Sequence, residues 1–384
     1  MYDKIAEYIA AHEAEALALL RRLVEIQSGS WNKPGLDRMA VAMADVLGGI
    51  LPQVRVLPYT SHGNMVQGQT LPAAAGSRGI LLVGHMDTVF PADTSFTMYR
   101  EDAQNCYGPG VYDMKGGLVA GVYALKALDH LGLLEKIPVT FFCNSDEEIG
   151  SPASKTWIDE NAMRNTAALV LEGGGINREV VTGRKGRMGL RMTVRGQARH
   201  AAKPGPKASA LLEAAHKVIA LEALNNNVEI TVNVGRVEGG IGPNTVPDTT
   251  TLLVDARFLS SHDQQRLEEE IRSIAARNTI PGTSCELEMI SGRPAMPQSA
   301  ANMKLFEVAR LQAAAMGYDL PQELRFGVSD ANYIADHGIP VLDGLGPVGD
   351  MDHSDQEYIV KQSVMERACL VAATLLALSA TFPS

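Results

Sequence analysis

Five segments of the sequence carry histidine or carboxylate side chains, either where a buried run of residues gives way to a loop or in a Gly-rich loop nearby. They are residues 83–89, 108–117, 144–151, 171–175 and 349–354. Imidazole nitrogens and carboxylate oxygens are the usual ligands of zinc, cobalt or manganese when no thiolate takes part. Carboxylates that crowd together repel one another unless cations neutralise their charge. The segments therefore favour a site for divalent metal ions.

Each segment alone also has a structural explanation. His85 could be a structural histidine after a strand, and Asp113 could cap the helix that follows it. Glu147 and Glu148 could form a solvated turn. The combination is more informative, because ligands of an open α/β sheet bind at the carboxyl ends of its strands. The residues that lie within a few positions of a predicted strand end are His85, Glu147, Glu148 and Glu172, which favours the metal interpretation.

The elements that would position these residues alternate between helix and strand. Helical periodicity runs through residues 5–26, 39–50 and 116–134, and β-rich runs occupy residues 54–57, 80–83, 139–143 and 168–171. Such alternation predicts a mainly parallel sheet with helices on both faces. The predicted fold class is therefore α/β.

A second domain is predicted to interrupt the first. Residues 184–292 have the order strand, helix, strand, strand, helix, strand, which is the ferredoxin-like β-α-β-β-α-β arrangement. Alternation of the first kind resumes at residue 300. We therefore expect a discontinuous metal-binding domain of residues 1–183 and 293–384, with residues 184–292 inserted into it.

The five segments resemble those of a di-zinc metallopeptidase family. This family contains carboxypeptidase G (glutamate carboxypeptidase), acetylornithine deacetylase and succinyl-diaminopimelate desuccinylase, and the carboxypeptidase G-like members are the most similar. The resemblance runs from His85 to His353, with the segments in the family's order. It implies two divalent metal ions, zinc first with cobalt or manganese as alternatives, and an inserted domain that serves as a lid and forms a homodimer.

The resemblance implies a metal ligand at five positions. Asp113 would bridge the two ions, His85 and Glu172 would complete one site, and Glu148 and His353 would complete the other. The peptide bond after Asp113 is expected to be cis.

Two further residues have implied roles beside the metals. Glu147 would be the general base, which takes a proton from the attacking water and delivers it to the leaving amine. Asp87 would hold the imidazole of His85 in the correct tautomer.

Three residues near the predicted insert are implied to meet the substrate. His200 would stabilise the oxyanion across a dimer interface, Asn244 would contact the substrate, and Arg293 would bind its free carboxylate by a bidentate contact. The alternatives are a surface-loop histidine, a turn residue and a surface arginine.

The leading function is an amidohydrolase that releases an amino acid. One version is a carboxypeptidase G-like enzyme, which acts on C-terminal Glu or Asp or on N-acyl-glutamates. The other version is a deacylase of the acetylornithine deacetylase or desuccinylase type. A non-catalytic binding homologue is the remaining alternative, although every expected ligand is present. Other catalytic classes lack their motifs, since no GxSxG elbow occurs and no GxGxxG fingerprint follows a first strand.

The net charge of −10 argues against a general nucleic-acid binder, which needs a basic surface. Residues 184–292 carry 14 basic and 12 acidic side chains, whereas the rest of the chain carries 20 and 32. The acidity therefore belongs to the domain that is predicted to hold cations.

Cysteine usage and the N-terminal stretch predict a cytoplasmic protein. The four cysteines form no CxxC pair, and residues 1–26 lack the pattern of a signal peptide. No apolar run reaches the roughly 18 residues that a membrane span needs, and residues 368–378 predict a core helix.

Overall fold

The structure is a computed structural model that describes residues 2–70, 78–226 and 228–381. The chain forms two compact units. The first contains Met1–Gly183, Gln298–Leu324 and Ser329–Ser384, and the second contains Arg184–Pro297 and Arg325–Val328.

The helices of the described residues are, in chain order, α1 (Tyr2–Ala11), α2 (Glu13–Val24), α3 (Lys33–Gly48), α4 (Gly116–His130), α5 (Lys155–Arg164), α6 (Ala210–Glu222), α7 (Ser261–Ala276), α8 (Ala300–Ala315), α9 (Asp330–Asp336) and α10 (Lys361–Thr381). Short helical turns occupy Val111–Lys115, Leu134–Lys136 and Glu147–Ile149.

The strands of the same residues are β1 (Gln53–Leu57), β2 (Met65–Gln69), β3 (Gly79–His85), β4 (Arg100–Glu101), β5 (Asn105–Tyr107), β6 (Val139–Asn144), β7 (Asn165–Val170), β8 (Val180–Arg184), β9 (Gly186–Arg195), β10 (Arg199–His200), β11 (Thr231–Gly239), β12 (Thr245–Val246), β13 (Thr249–Phe258), β14 (Ser284–Arg293), β15 (Gln322–Arg325), β16 (Val341–Leu342), β17 (Gly349–Asp350) and β18 (Tyr358–Val360).

The first unit is built on a six-stranded sheet with the order β1-β2-β6-β3-β7-β16. The neighbours from β6 to β16 pair in parallel, and among these six strands β2 alone runs against the others. All residues of β6 are buried, as expected for a strand covered by helices on both faces. The predicted α/β fold with a mainly parallel sheet is confirmed.

Helix α4 lies in the core of the first unit and is rich in small residues. Its glycines allow a close approach to the sheet. A Cβ added at Gly117 would lie 1.8 Å from the carbonyl oxygen of Leu171, and one at Gly121 would lie 2.7 Å from the Leu171 side chain. Larger residues would push α4 away from the segment that leads to Glu172.

Helix α10 is longer than the apolar run that the sequence analysis assigned to a core helix. Residues 361–380 are long and apolar enough to cross a membrane by length and composition, so the expectation that no segment reaches that length is wrong. In the structure 67% of the most apolar window is buried, and α10 packs against α1, α4 and α8. This burial agrees with the prediction of a core helix.

The second unit contains a four-stranded antiparallel sheet with the order β11-β13-β9-β14. Together with α6 and α7, its strands follow the chain order β-α-β-β-α-β. The sequence predicts residues 184–292 for this unit, whereas the structure extends it to Pro297 and adds Arg325–Val328. Backbone hydrogen bonds explain the difference, because Arg184 pairs with Met296 and Lys185 N–H donates to Arg325 O at 3.0 Å.

A small sheet of the first unit was missed by the sequence analysis. Its strands have the order β17-β18-β5-β4 and contain two or three residues each. Runs this short show no periodic pattern, so hydrophobicity could not predict them. The sheet matters for the site, because β5 leads into the loop that contains Asp113, and His353 lies between β17 and β18.

Candidate metal centre

Three of the predicted ligands come from the ends of adjacent parallel strands. His85 is the last residue of β3, Glu148 follows β6, and Glu172 follows β7. Because β3 lies between β6 and β7, the three strand ends meet at one edge of the sheet. This is the edge at which open α/β sheets bind their ligands.

Asp113 lies between the two predicted histidine ligands. Its Oδ1 is 2.9 Å from His85 Nε2, and its Oδ2 is 3.4 Å from His353 Nε2. A glutamate accompanies each histidine: Glu172 Oε1 is 3.6 Å from His85 Nε2, and Glu148 Oε2 is 3.4 Å from His353 Nε2. The structure thus brings all five predicted ligands together, with the two oxygens of one carboxylate facing two separate groups.

Asp352 adds a carboxylate that the sequence analysis did not single out. One candidate ligand set contains His85, Asp113 and Glu148, and a second contains Asp113, Asp352 and His353. In each set the ligand atoms lie within 4.8 Å of one another. Asp352 is exposed, and its place beside His353 was the one signal that could have identified it.

The electrostatics of the cluster fit divalent cations. Burial, followed by the charge of Asp113, raises the pKa of Glu148 well above its usual range and also raises the pKa of Glu172. Hydrogen bonds with Asp113 and Glu148 raise the pKa of His353 to about 11. The two glutamates are thus buried beside a third carboxylate, and cations held between them would favour their charged forms. The oxygen and imidazole donors are those that zinc, cobalt or manganese accept.

The imidazole of His85 is oriented by Asp87. His85 Nδ1 is 3.0 Å from the Asp87 carbonyl oxygen and 3.3 Å from its carboxylate Oδ1. Since a carbonyl oxygen accepts, Nδ1 must carry a proton, and Nε2 is therefore the nitrogen that would bind a metal ion. Both His85 and Asp87 are buried. Such a contact commonly fixes the tautomer of a metal-binding histidine.

Asp87 also anchors the loop that carries Glu147. Its Oδ1 accepts the Glu147 backbone N–H at 3.1 Å, and its Oδ2 accepts the Glu148 N–H at 3.2 Å. The hydroxyl of Ser30 donates to the same Oδ2 at 2.8 Å. Ser30 was missed by the sequence analysis, because it lies far from Asp87 along the chain and belongs to no motif.

The loop that carries Asp113 has an unusual backbone. Gly110 has a φ of +74°, and the peptide bond between Asp113 and Met114 is cis, as the resemblance implies.

Beyond the loop, Lys115 is buried and its Nζ donates to the Ile26 carbonyl at 3.0 Å. Burial lowers the pKa of Lys115 to about 7, and the charge of Glu357 opposes this effect.

The three predicted substrate-contacting residues lie in the second unit. His200 is exposed on β10 and pairs with Thr245 of β12, and the neighbouring Ala201 N–H donates to Asn244 O at 2.8 Å. The structure therefore brings His200 and Asn244 to the same corner of the unit. Arg293 ends β14 and is 6% exposed, so the alternative of a surface arginine is wrong.

Comparisons with known sequences identify the family of this chain. Residues 81–377 match the model of the peptidase family M20/M25/M40. Carboxypeptidase G2 of Pseudomonas sp. (strain RS-16) is 28% identical over 384 residues, which cover 97% of this chain and 92% of that protein. An acetylornithine deacetylase of Erwinia tasmaniensis is 25% identical over 333 residues, which cover 80% of this chain and 79% of that protein.

Solved structures share the fold. Aminopeptidase PepT of Bacillus cereus has a TM-score of 0.79 at 23% identity, over 96% of this chain and 99% of that chain. The YXEP protein of Bacillus subtilis, a dinuclear metal binding peptidase from the M20 family, has a TM-score of 0.69 at 14% identity, over 97% of this chain and 99% of that chain.

Proposed function

The chain belongs to peptidase family M20/M25/M40, and from that premise we propose that it is a di-metal carboxypeptidase of the carboxypeptidase G type. It would release glutamate or aspartate from the C-terminus of a small peptide, or glutamate from an N-acyl-glutamate. The proposed metal is zinc, with cobalt or manganese as alternatives.

One observation carries the proposal. The carboxylate oxygens of Asp113 are divided between His85, at 2.9 Å, and His353, at 3.4 Å. A carboxylate that contacts two histidines through different oxygens has the geometry of a bridging ligand. A single-metal site would need only one of these histidines beside Asp113. The division therefore supports two ions held side by side.

The residues of the chain would divide the chemistry between them. When bound, two divalent cations lower the pKa of a water molecule and polarise the carbonyl of the scissile amide. Glu147 takes the proton from the attacking water and delivers it to the leaving nitrogen. Asp87 supports both parts, because it contacts the imidazole of His85 and the backbone of Glu147.

The substrate's free carboxylate would be bound from the second unit. Arg293 supplies the guanidinium for a bidentate contact, Asn244 contacts the substrate, and His200 stabilises the oxyanion across a homodimer. The exposed position of His200 and the close placement of Asn244 support these roles. Exposed apolar side chains on α6, such as Ile219, support a dimer interface on this unit.

A cytoplasmic location is proposed on the basis of the cysteines. Cys106, Cys143, Cys285 and Cys369 are all free thiols, as expected for a protein in a reducing compartment.

The test is a hydrolysis screen on protein loaded with Zn²⁺, Co²⁺ or Mn²⁺. The substrates are N-acyl-glutamates, dipeptides that end in Glu or Asp, acetylornithine and succinyl-diaminopimelate, and the released amine is quantified. We expect turnover of the first two classes and none by metal-free protein. Turnover of acetylornithine or succinyl-diaminopimelate alone would establish the deacylase alternative, which the likeness to acetylornithine deacetylase supports.

Absence of turnover on every substrate, by protein that retains its fold and its metal, would favour the non-catalytic alternative. Absence of metal binding would contradict the proposed metal centre and with it the proposed function.

A further inference from the structure

Glu357 is a buried carboxylate that the sequence analysis missed. It has no exposed surface and lies just before β18. Its Oε1 accepts the backbone N–H groups of Tyr112 at 2.8 Å and Asp113 at 2.9 Å, and its Oε2 accepts that of Gly110 at 2.8 Å. Both oxygens are therefore directed to the short loop that carries the proposed bridging ligand.

These three hydrogen bonds meet a specific need of the loop. Gly110 is in the left-handed region, and the residues after it form a short helical turn that departs from helical angles at Asp113. In such a turn the backbone N–H groups cannot all find carbonyl partners nearby. A buried N–H group without a partner costs free energy, so the carboxylate fixes one conformation of the loop.

The small sheet holds Glu357 in place. Tyr358 of β18 is paired with Tyr107 of β5, and this register sets the preceding residue beside the loop that begins after β5. His353 lies only four positions before Glu357 on the same connection between β17 and β18. One short segment thus carries a proposed ligand of one metal ion and the anchor of the ligand that both ions share.

We propose that Glu357 is a positioning residue of the metal centre, which fixes the backbone of Asp113 so that its two carboxylate oxygens stay divided between His85 and His353. This inference rests on the proposed two-metal function. Glu357 touches neither a substrate nor the reacting atoms, and it acts through Asp113. A purely structural role would affect the stability of the fold and leave metal affinity unchanged.

The experiment compares three variants with the unaltered protein. In Glu357→Gln only the amide oxygen can accept hydrogen bonds, because the amide nitrogen is a donor. At least one of the three N–H groups therefore loses its acceptor. Glu357→Asp keeps the charge on a shorter side chain. Glu213→Gln is the matched control, because Glu213 is also a buried carboxylate that accepts two backbone N–H groups, from Thr279 and Ile280, but lies in the second unit.

The readouts are Zn²⁺ affinity and stoichiometry by competition with a chelating dye, the visible absorption of the Co²⁺-loaded protein, and the melting temperature of the metal-free form. We expect Glu357→Gln to weaken Zn²⁺ binding by about 10–100-fold, the range typical when a residue that orients a metal ligand is replaced. The Co²⁺ spectrum should change, and Glu357→Asp should restore part of the affinity. Glu213→Gln should lower the melting temperature without changing either metal readout.

Unchanged Zn²⁺ affinity in a folded Glu357→Gln protein, even with a lower melting temperature, would overturn the positioning role. If that variant does not fold, Glu357→Asp is judged by the same criterion against the unaltered protein. Failure of the unaltered protein to bind two Zn²⁺ ions would instead overturn the proposed metal centre, and the two failures are therefore distinct.

Discussion

The carboxylate of Asp87 accepts the backbone N–H of Glu147, with 3.1 Å between Oδ1 and the nitrogen. The same oxygen lies 3.3 Å from Nδ1 of His85. One buried side chain therefore contacts both a proposed metal ligand and the segment of the proposed base. A change at Asp87 should disturb the two together.

The substitution Asp87→Asn is expected to lower kcat by about 10–100-fold, as for other residues that orient metal ligands. The asparagine amide nitrogen cannot accept an N–H, so Glu147 or Glu148 loses a hydrogen bond. The measurement is steady-state kinetics at saturating metal. Asp102→Asn is the control, because Asp102 accepts two backbone N–H groups at an exposed site. Equal kinetics for the two variants would contradict the role of Asp87.

Replacing Glu147 by Gln should remove turnover while both metal ions stay bound. A glutamine cannot take up the proton of the attacking water, and loss of a general base costs about 10²–10⁴-fold in rate. Stopped assays of amine release and metal analysis by mass spectrometry provide the two measurements. Activity within a few fold of the unaltered protein would exclude Glu147 as the base.

Replacing Asp113 by Ala should lower the bound metal below two ions per chain. The alanine cannot bridge, and His85 and His353 lose the carboxylate that lies between them. Metal content after dialysis against a fixed free Zn²⁺ concentration measures the effect. Asp355→Ala is the control, since Asp355 is an exposed carboxylate on the same loop as His353. A full complement of metal in the Asp113→Ala protein would remove Asp113 as the bridge.

Removal of the metal by a chelator should lower the melting temperature. Ions that bind only the folded state stabilise it by about 2.7 kcal/mol when present at a hundredfold excess over the dissociation constant. Without the ions, the buried carboxylates of the cluster should also repel one another. Scanning calorimetry with and without chelator checks the shift, and the Asp113→Ala protein should show a smaller one. Identical melting curves for the unaltered protein would contradict a metal-stabilised first unit.

The second unit offers a stability test that is independent of the metals. Lys217 is buried, and its Nζ lies 3.1 Å from Glu213 Oε1. The same Nζ donates to three carbonyl oxygens at the end of α7, those of Ile274, Ala275 and Arg277. Lys217→Met would leave the charge of Glu213 buried and unpaired, which costs about 3–5 kcal/mol of unfolding free energy.

The control for Lys217→Met is Lys155→Met. Lys155 forms an ion pair with Asp159, and the lysine side chain is half exposed. Such surface pairs contribute about 0–1 kcal/mol to the free energy of unfolding. Urea denaturation measures both variants. A loss of stability no larger for Lys217→Met than for Lys155→Met would show that the buried pair has no special role.

The α/β class and the convergence of three predicted ligands could be derived from the sequence, because strand ends are visible as the ends of apolar runs. His85, Glu148 and Glu172 follow such ends. Glu357 could not be found in this way, since it contacts Asp113 across 244 positions of sequence. Strands β5 and β18, which align the two segments, are too short to leave a periodic pattern. Ser30 escaped for the same reason of distance along the chain.

The interruption of the first unit by the second has a consequence for biosynthesis. During translation, His85, Asp113, Glu148 and Glu172 leave the ribosome before the whole second unit, and His353 follows only after it. The second unit can fold as soon as it emerges, because its strands and helices are nearly contiguous in sequence. A nascent chain therefore carries an incomplete ligand cluster for most of its synthesis, and the cluster can close only when His353, shortly before α10, has been made.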